Sequence, residues 1–279
     1  KKISEIYLNF KFTLETHLNK KTFVVGVSGG PDSLALAALS KMYQYEKKTK
    51  AFFVLIDHNI RSNSKKEANS VKKLLKKNHV NLNIIKNTKT IKRNMQSEAR
   101  KIRYDLLTNF CKRKKINMIL TAHNLEDQVE TFFIRLSRGS GLQGLSSMKQ
   151  VNKINNNINL VRPLLDFKKT QLIKISKIIF GKFYKDPTNK NTKYLRTRIR
   201  NLKKSLEKSG INYDQVFQSI KNLASSRDTL DLYFNKIYKD TVNKKKNKIL
   251  ISLKSLNNLN QEMKMRVFKK SIKDFTNTY

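Results

Sequence analysis

Cysteine occurs once in 279 residues, at Cys111. A single thiol excludes a disulfide framework within the chain, a four-cysteine zinc site and any mechanism that needs two cysteines. Its place in a helical stretch reads as an inert, half-buried thiol. No run approaches the ~18 apolar residues of a transmembrane helix, and no signal-peptide core opens the chain. The expectation is a soluble, cytoplasmic protein of a reducing compartment, with no membrane partner. Acidic residues are also scarce, 20 against 60 Lys and Arg, for a net charge of +40. Such an imbalance creates a positive field that attracts nucleic acid. The basic residues are spread along the whole chain, and base-composition bias accounts for part of them. With 38% hydrophobic residues the chain can build real cores. Its length suits one large domain or two smaller ones.

The most informative stretch runs from Val24 to Ser33, V-V-G-V-S-G-G-P-D-S. A β-rich apolar run ends in a Ser-Gly-Gly turn, and a helical run follows from Leu34. Glycines let the backbone approach an anion, and a helix start points free N–H groups at it. Ser28, Gly29, Gly30, Pro31, Asp32 and Ser33 are therefore candidate nucleotide-phosphate binders. The kinase-type loop G-x-x-x-x-G-K-S/T does not fit, because no lysine follows the glycines. A plain strand-to-helix turn capped by Asp32 or Ser33 is the competing reading.

Ile3, Ile6, Tyr7, Phe10, Leu14 and Leu18 recur at helical spacing and predict an opening amphipathic helix, within residues 1–19. Strand-like runs follow at Thr22–Val27, Ala51–Asp57, Asn81–Ile85 and Asn117–Thr121. Helical patterns separate them at Leu34–Lys47, Ser64–Asn78 and Met95–Lys114. This alternation signals an α/β fold with a parallel sheet and helices on both faces. Ligands of such sheets bind beyond the carboxyl ends of the strands. Chemistry should then gather near Ser28, Asp57 and His123. A helix is expected over Glu126–Ser137, followed by Arg138–Gly144. That segment contains a G-x-G-x-x-G string but follows a helix, so it reads as a mobile loop and not a dinucleotide fingerprint. A strand pair around Asn155–Asn159 and helices at Lys168–Ile179 and Tyr194–Lys208 come next. Beyond Gly210 the chain turns basic and mainly helical, with one further strand near Ile249–Leu253. A boundary near residues 205–212 divides a catalytic domain, 1–208, from a smaller C-terminal region, 209–279.

Asp127 and Glu130 share a helical face at the end of the fourth strand. Carboxylates there suit Mg²⁺ ligation or proton acceptance from a nucleophile. The same segment suits helix-start chemistry, with Asn124 as N-cap and Asp127 at the third position. Asp57 and His58 end the second strand, where they can contact the base or ribose of a nucleotide. Arg100, Arg103 and Tyr104 share one helix face. Arg196, Arg198 and Arg200 cluster after Asp186-Pro187-Thr188-Asn189, in a pattern suited to phosphate.

Taken in order, these segments resemble the tRNA(Ile)-lysidine synthetase family of the N-type ATP pyrophosphatases, also called the PP-loop superfamily. The resemblance runs from Ser28–Ser33 through Asp57–Arg61, Glu98–Tyr104, Thr121–His123, Asp127–Thr131, Arg138–Leu145 and Arg162–Leu165. It ends with Asp186–Asn189 and Arg196–Arg200. All three prolines lie inside these segments. The resemblance implies an adenine nucleotide α-hydrolase-like sheet and ligation of free L-lysine to C2 of the wobble cytidine. The substrates would be ATP and a tRNA(Ile) with a CAU anticodon, so that the product reads AUA as isoleucine. ATP adenylates the C2 oxygen with loss of pyrophosphate, then the lysine ε-amine attacks C2 and expels AMP. Catalytic roles are implied for Asp32, Arg103, His123, Asp127, Glu130, Arg196 and Arg200, with Mg²⁺ on Asp32 and Asp127. The C-terminal region is the expected tRNA holder, and a homodimer is an open alternative to a monomer. Asn124 departs from the family, which usually has a second histidine there, and Glu126 stands where an aspartate is common. Larger members carry a further C-terminal domain, so a reduced or truncated form is expected. The alternatives are another PP-loop tRNA-modifying enzyme, such as a thiolase, or a non-catalytic RNA-binding relative. Thiolases generally rely on paired cysteines, which a lone Cys111 disfavours.

Overall fold

Strands and helices alternate as the apolar periodicity requires. A computed structural model describes residues 3–18, 22–60, 62–89, 91, 95–155, 157–184, 191–245 and 248–276. Helix α1 (Ile3–Leu18) precedes β1 (Phe23–Val27), α2 (Pro31–Lys47), β2 (Ala51–Asp57), α3 (Ser64–Lys77) and β3 (Leu82–Lys86). Then come α4 (Met95–Arg113), β4 (Met118–Leu120), α5 (Leu125–Leu136), α6 (Leu142–Leu145), β5 (Val151–Asn155) and β6 (Ile158–Val161). Helices α7 (Lys169–Phe180), α8 (Leu195–Asn201), α9 (Lys203–Lys208) and α10 (Tyr213–Thr241) lead to β7 (Val242–Lys245) and β8 (Lys248–Ile251). Helices α11 (Leu253–Asn257) and α12 (Gln261–Thr276) complete the described chain.

The main sheet has the order β3-β2-β1-β4-β6-β5. Its pairs are parallel except the β5–β6 hairpin. Alternate residues of β1 serve opposite faces, as a period of two demands. Phe23, Val25 and Val27 pack with Phe10 and Leu14 of α1, Leu34 and Leu39 of α2, and Leu172 and Ile175 of α7. Val24 packs on the other side with Leu107, Phe110 and Cys111 of α4. Burial on both faces explains why these strands read as continuous apolar runs. Cys111 is fully buried rather than half-buried, and burial pushes its thiol up to about 12.

From β1 the chain steps to β2 and β3 on one side, then crosses to β4 on the other. The strand order therefore reverses between β1 and β4, and a crevice opens at their carboxyl ends. Helix α10 spans two hydrophobic clusters. Tyr213, Phe217 and Ile220 pack with Leu125 and Val129 of α5. Phe234 and Tyr238 pack with Val242, Leu256, Met263 and Val267.

Three local expectations differ from the structure. The glycine-containing segment after Arg138 is folded, because Arg135 donates to the carbonyls of Gly144 (2.7 Å) and Ser147 (3.0 Å). Gln143 also donates to Asp231 on α10 at 2.8 Å. The helix expected over Tyr194–Lys208 is split at Leu202 into α8 and α9. The single strand expected near Ile249 is half of an antiparallel hairpin, with Val242 opposite Ile251.

Candidate active site

Two loops at the carboxyl edge of the sheet build the site. After β1, Gly29 adopts φ +84°, and a Cβ there would lie 2.5 Å from Val71 Cγ2 on α3. Only glycine satisfies both demands. The Ser33 hydroxyl accepts from the Ser28 amide (3.1 Å) and lies 3.1 Å from the Ser28 hydroxyl. It donates in turn to the Gly30 carbonyl at 3.0 Å, which closes the loop on itself. Helix α2 starts at Pro31 with Gly30 as N-cap and no side-chain cap. Its first-turn amides and positive dipole end are thus left for an anion.

After β4, Asn124 caps α5. Its Oδ1 accepts from the Asp127 amide (2.9 Å), and Asp127 Oδ2 accepts from the Asn124 amide (3.2 Å). The Asn124 side chain also lies close to Asp32 in the first turn of α2 and favours its ionised form. One amide therefore stands beside the carboxylates of both loops. Burial, together with the nearby Asp127 and Glu126 charges, pushes Asp32 up to about 6 against the pull of Lys169 and Asn124. Among the described residues, Asp32 Oδ1 is buried without a hydrogen-bond partner. Glu126 is engaged elsewhere, accepting from the Lys169 amide at 2.9 Å and pairing with Lys203 at 3.7 Å.

Glu130 lies one turn along α5 and is 2% exposed. Arg200 grips both of its oxygens, at 2.6 and 2.9 Å. Arg196 stands 3.6 Å away and donates to Thr131 Oγ1 at 3.0 Å. Burial raises the Glu130 pKa above the ordinary carboxylate value, and the bidentate Arg200 pulls against that shift. Arg196 and Arg200 are one helical turn apart, so α8 presents both to α5. His123 Nδ1 lies 3.0 Å from Thr121 Oγ1. Burial drives its pKa down to about 3, with Arg162, Arg100 and Arg196 adding to the effect and Asp127 opposing it. The imidazole is therefore neutral at physiological pH.

Asp57 ends β2, and its Oδ1 accepts from the Asn59 amide at 2.9 Å. Half-buried His58 follows, its carbonyl accepting from Asn87 at 3.2 Å. Asp57 ends the strand beside β1, and His58 is the first residue beyond it. Arg103 is exposed on α4, three residues beyond Arg100. Arg61 and the segment 186–189 lie outside the described residues.

A family profile described as the PP-loop domain matches residues 2–206. The chain belongs to the PP-loop family. Curated relatives of this PP-loop chain are named tRNA(Ile)-lysidine synthase. That of Orientia tsutsugamushi (strain Boryong) is 43% identical over 185 residues, 65% of this chain and 41% of the relative. That of Wolbachia pipientis wMel is 36% identical over 224 residues, 78% of this chain and 51% of the relative. The chain thus spans about half the length of the curated relatives it matches. Among solved structures, the U34-tRNA thiolase NcsA from Methanococcus maripaludis with its 4Fe–4S cluster is similar in fold. Its TM-score is 0.67 at 18% identity, over 80% of this chain and 78% of that one.

The PP-loop site unites the glycine loop with Asp32, His123, Asp127, Glu130, Arg196 and Arg200. Sequence reasoning gave Asn124 a capping role but not its place beside Asp32, 92 positions away. Lys169 and Arg162 were assigned nothing. Arg162 stands directly before Pro163 in one of the segments that carried the resemblance, which was the one available signal.

Proposed function

We propose that this chain ligates free lysine to C2 of the wobble cytidine of a tRNA(Ile) with a CAU anticodon, at the expense of ATP. One observation carries the reading. The Ser28–Ser33 loop, built to hold phosphates, places Asp32 beside Asn124, which also fixes Asp127. The similarity to lysidine synthases supports the choice of substrates.

The loop and the α2 amides hold the polyphosphate, and Asp57 and His58 border the nucleoside. The cytidine O2 attacks the α-phosphorus, an O–P bond forms, and the bond to pyrophosphate breaks. The lysine ε-amine then attacks C2, AMP leaves, and the amine proton passes to a carboxylate. Asp127 suits that last role better than Glu130, whose two oxygens are occupied by Arg200. Neutral His123 donates or accepts a hydrogen bond without carrying charge. Arg196, with Arg103 on α4, offsets phosphate charge as it develops.

Two carboxylates completed by substrate phosphates are a usual Mg²⁺ donor set, and the unpartnered Asp32 Oδ1 beside Asp127 fits it. Mg²⁺ held there would neutralise charge on the departing pyrophosphate. Residues 1–208 carry the chemistry, and the basic region 209–279 holds RNA. A cluster-dependent thiolase reading fails on ligands, since one buried cysteine cannot hold an iron–sulfur cluster.

Incubation with ATP, Mg²⁺, labelled lysine and bulk tRNA tests the reading. Label should enter tRNA only when ATP is present. Pyrophosphate release without label in tRNA overturns it.

A further inference from the structure

Arg162 follows β6 and is only 4% exposed. Among the described residues neither it nor Arg100 forms an ion pair with a carboxylate. One Arg162 nitrogen, Nη1, donates to the Lys149 carbonyl at 2.7 Å, and Tyr104 lies close to the guanidinium. Its Nε is buried with no acceptor. Tyr104 is half-buried, and its ring is covered by the exposed Arg100, whose guanidinium carbon lies 5.1 Å from the ring centroid. Buried Arg162, Tyr104 and exposed Arg100 therefore form a continuous path from the interior to solvent.

A buried cation without a counter-ion is costly, because a carbonyl replaces only part of its hydration. Here the cost is compounded, since the strongest charged neighbours of Arg162 besides Tyr104 are Arg100 and Arg135. The path also opens beside His123, whose field includes Arg162 and Arg100. Strand β6 is two places from β1, so the path lies roughly 10 Å from the glycine loop at the usual strand spacing.

We propose that Arg162, Tyr104 and Arg100 form a second anion seat beside His123, which takes a phosphate group and gains its missing counter-charge on binding. The phosphate comes either from the RNA backbone or from the nucleotide polyphosphate reaching across from the first loop. The seat deepens the functional reading above and rests on it for the choice of these two ligands.

Binding of a non-hydrolysable ATP analogue and of an RNA hairpin with a CAU loop, each measured separately, tests the seat. Arg100→Ala removes an exposed side chain, and Arg162→Lys keeps the charge but loses the guanidinium fork. Each should weaken one of the two probes about tenfold and leave the other within twofold, and the probe that weakens identifies the source. In Arg100→Ala, which removes a charge, loss confined to RNA should also reduce the salt slope of binding by about one. Wild-type affinity for both probes in both variants overturns the proposal, even if Arg162→Lys melts earlier, because a clamp on Lys149 alone would give that result. If Arg162→Lys fails to fold, Arg100→Ala decides the question. No lysine transfer is needed for these measurements, so failure of the ligase reading would appear separately.

Discussion

Asp32 sits where ionisation is costly, and Asp32→Asn should therefore stabilise the free protein while removing its activity. The folded carboxyl titrates at about 6 against an ordinary value of 3.8. Ionising it in the folded state then costs about 3 kcal/mol more than in the unfolded chain. The asparagine keeps the shape of the side chain and carries no charge. The gain should be absent below about pH 4, where the carboxyl is protonated in both states. It should grow as pH rises from about 4 to 6, and stay constant above. At about 2.1 cal/mol/K per residue over a 279-residue chain, 3 kcal/mol corresponds to a rise of about 5 °C in Tm. Thermal melts of both proteins with EDTA at pH 4, 5, 6 and 8 measure this directly. Adding Mg²⁺ and ATP should narrow the gap by stabilising only the parent protein. Equal Tm values at pH 8, or a variant that melts earlier there, would refute the burial argument.

Arg200→Ala should cost about 3 kcal/mol in urea unfolding, because Glu130 is left buried and unpaired. Pairing it with Glu130→Gln should recover most of the loss, and a single-variant loss below 1 kcal/mol would mean that water reaches Glu130. Gly29→Ala should destabilise by about 2 kcal/mol through its positive φ and the approach to Val71. Adding Val71→Ala should return only the packing part, and full recovery would show that the backbone tolerates a side chain there. Cys111 should resist alkylation in the native protein at pH 8 and react readily in guanidinium, since its thiol is buried and titrates near 12. Comparable labelling in both conditions would contradict that burial.

Much of the sheet was legible because its signals are local. Each of β1 to β4 is a short β-branched run, and turn chemistry or helical periodicity bounds it on both sides. The expected bounds of β2, Ala51–Asp57, match the structure residue for residue. Asn124 was legible as a cap for the same reason, since its partner Asp127 is three residues away. The split at Leu202 and the β7–β8 hairpin were less legible. The residues of α8 and α9 suit one long helix, and no local signal marks the break at Leu202. The glycine segment after Arg138 looked mobile because glycine is permissive, yet half-buried Arg135 of α5 and buried Arg227 of α10 hold its end. Arg227, for instance, donates to Ser146 Oγ at 2.8 Å. A contact 81 residues away leaves no trace in local composition.

By itself, the amino-acid order determined which segments are strands and helices, where the phosphate loop lies, and that carboxylates and arginines stand at strand ends. Those properties follow from periodicity, propensity and φ requirements within a few residues. Only the tertiary structure decided which charges meet. It brought Asp32 beside Asn124 and spent Glu130 on Arg200. It left Arg162 buried without a carboxylate. The reason is physical: ionisation, desolvation and pairing depend on distance in space, and the crossover from β1 to β4 sets those distances.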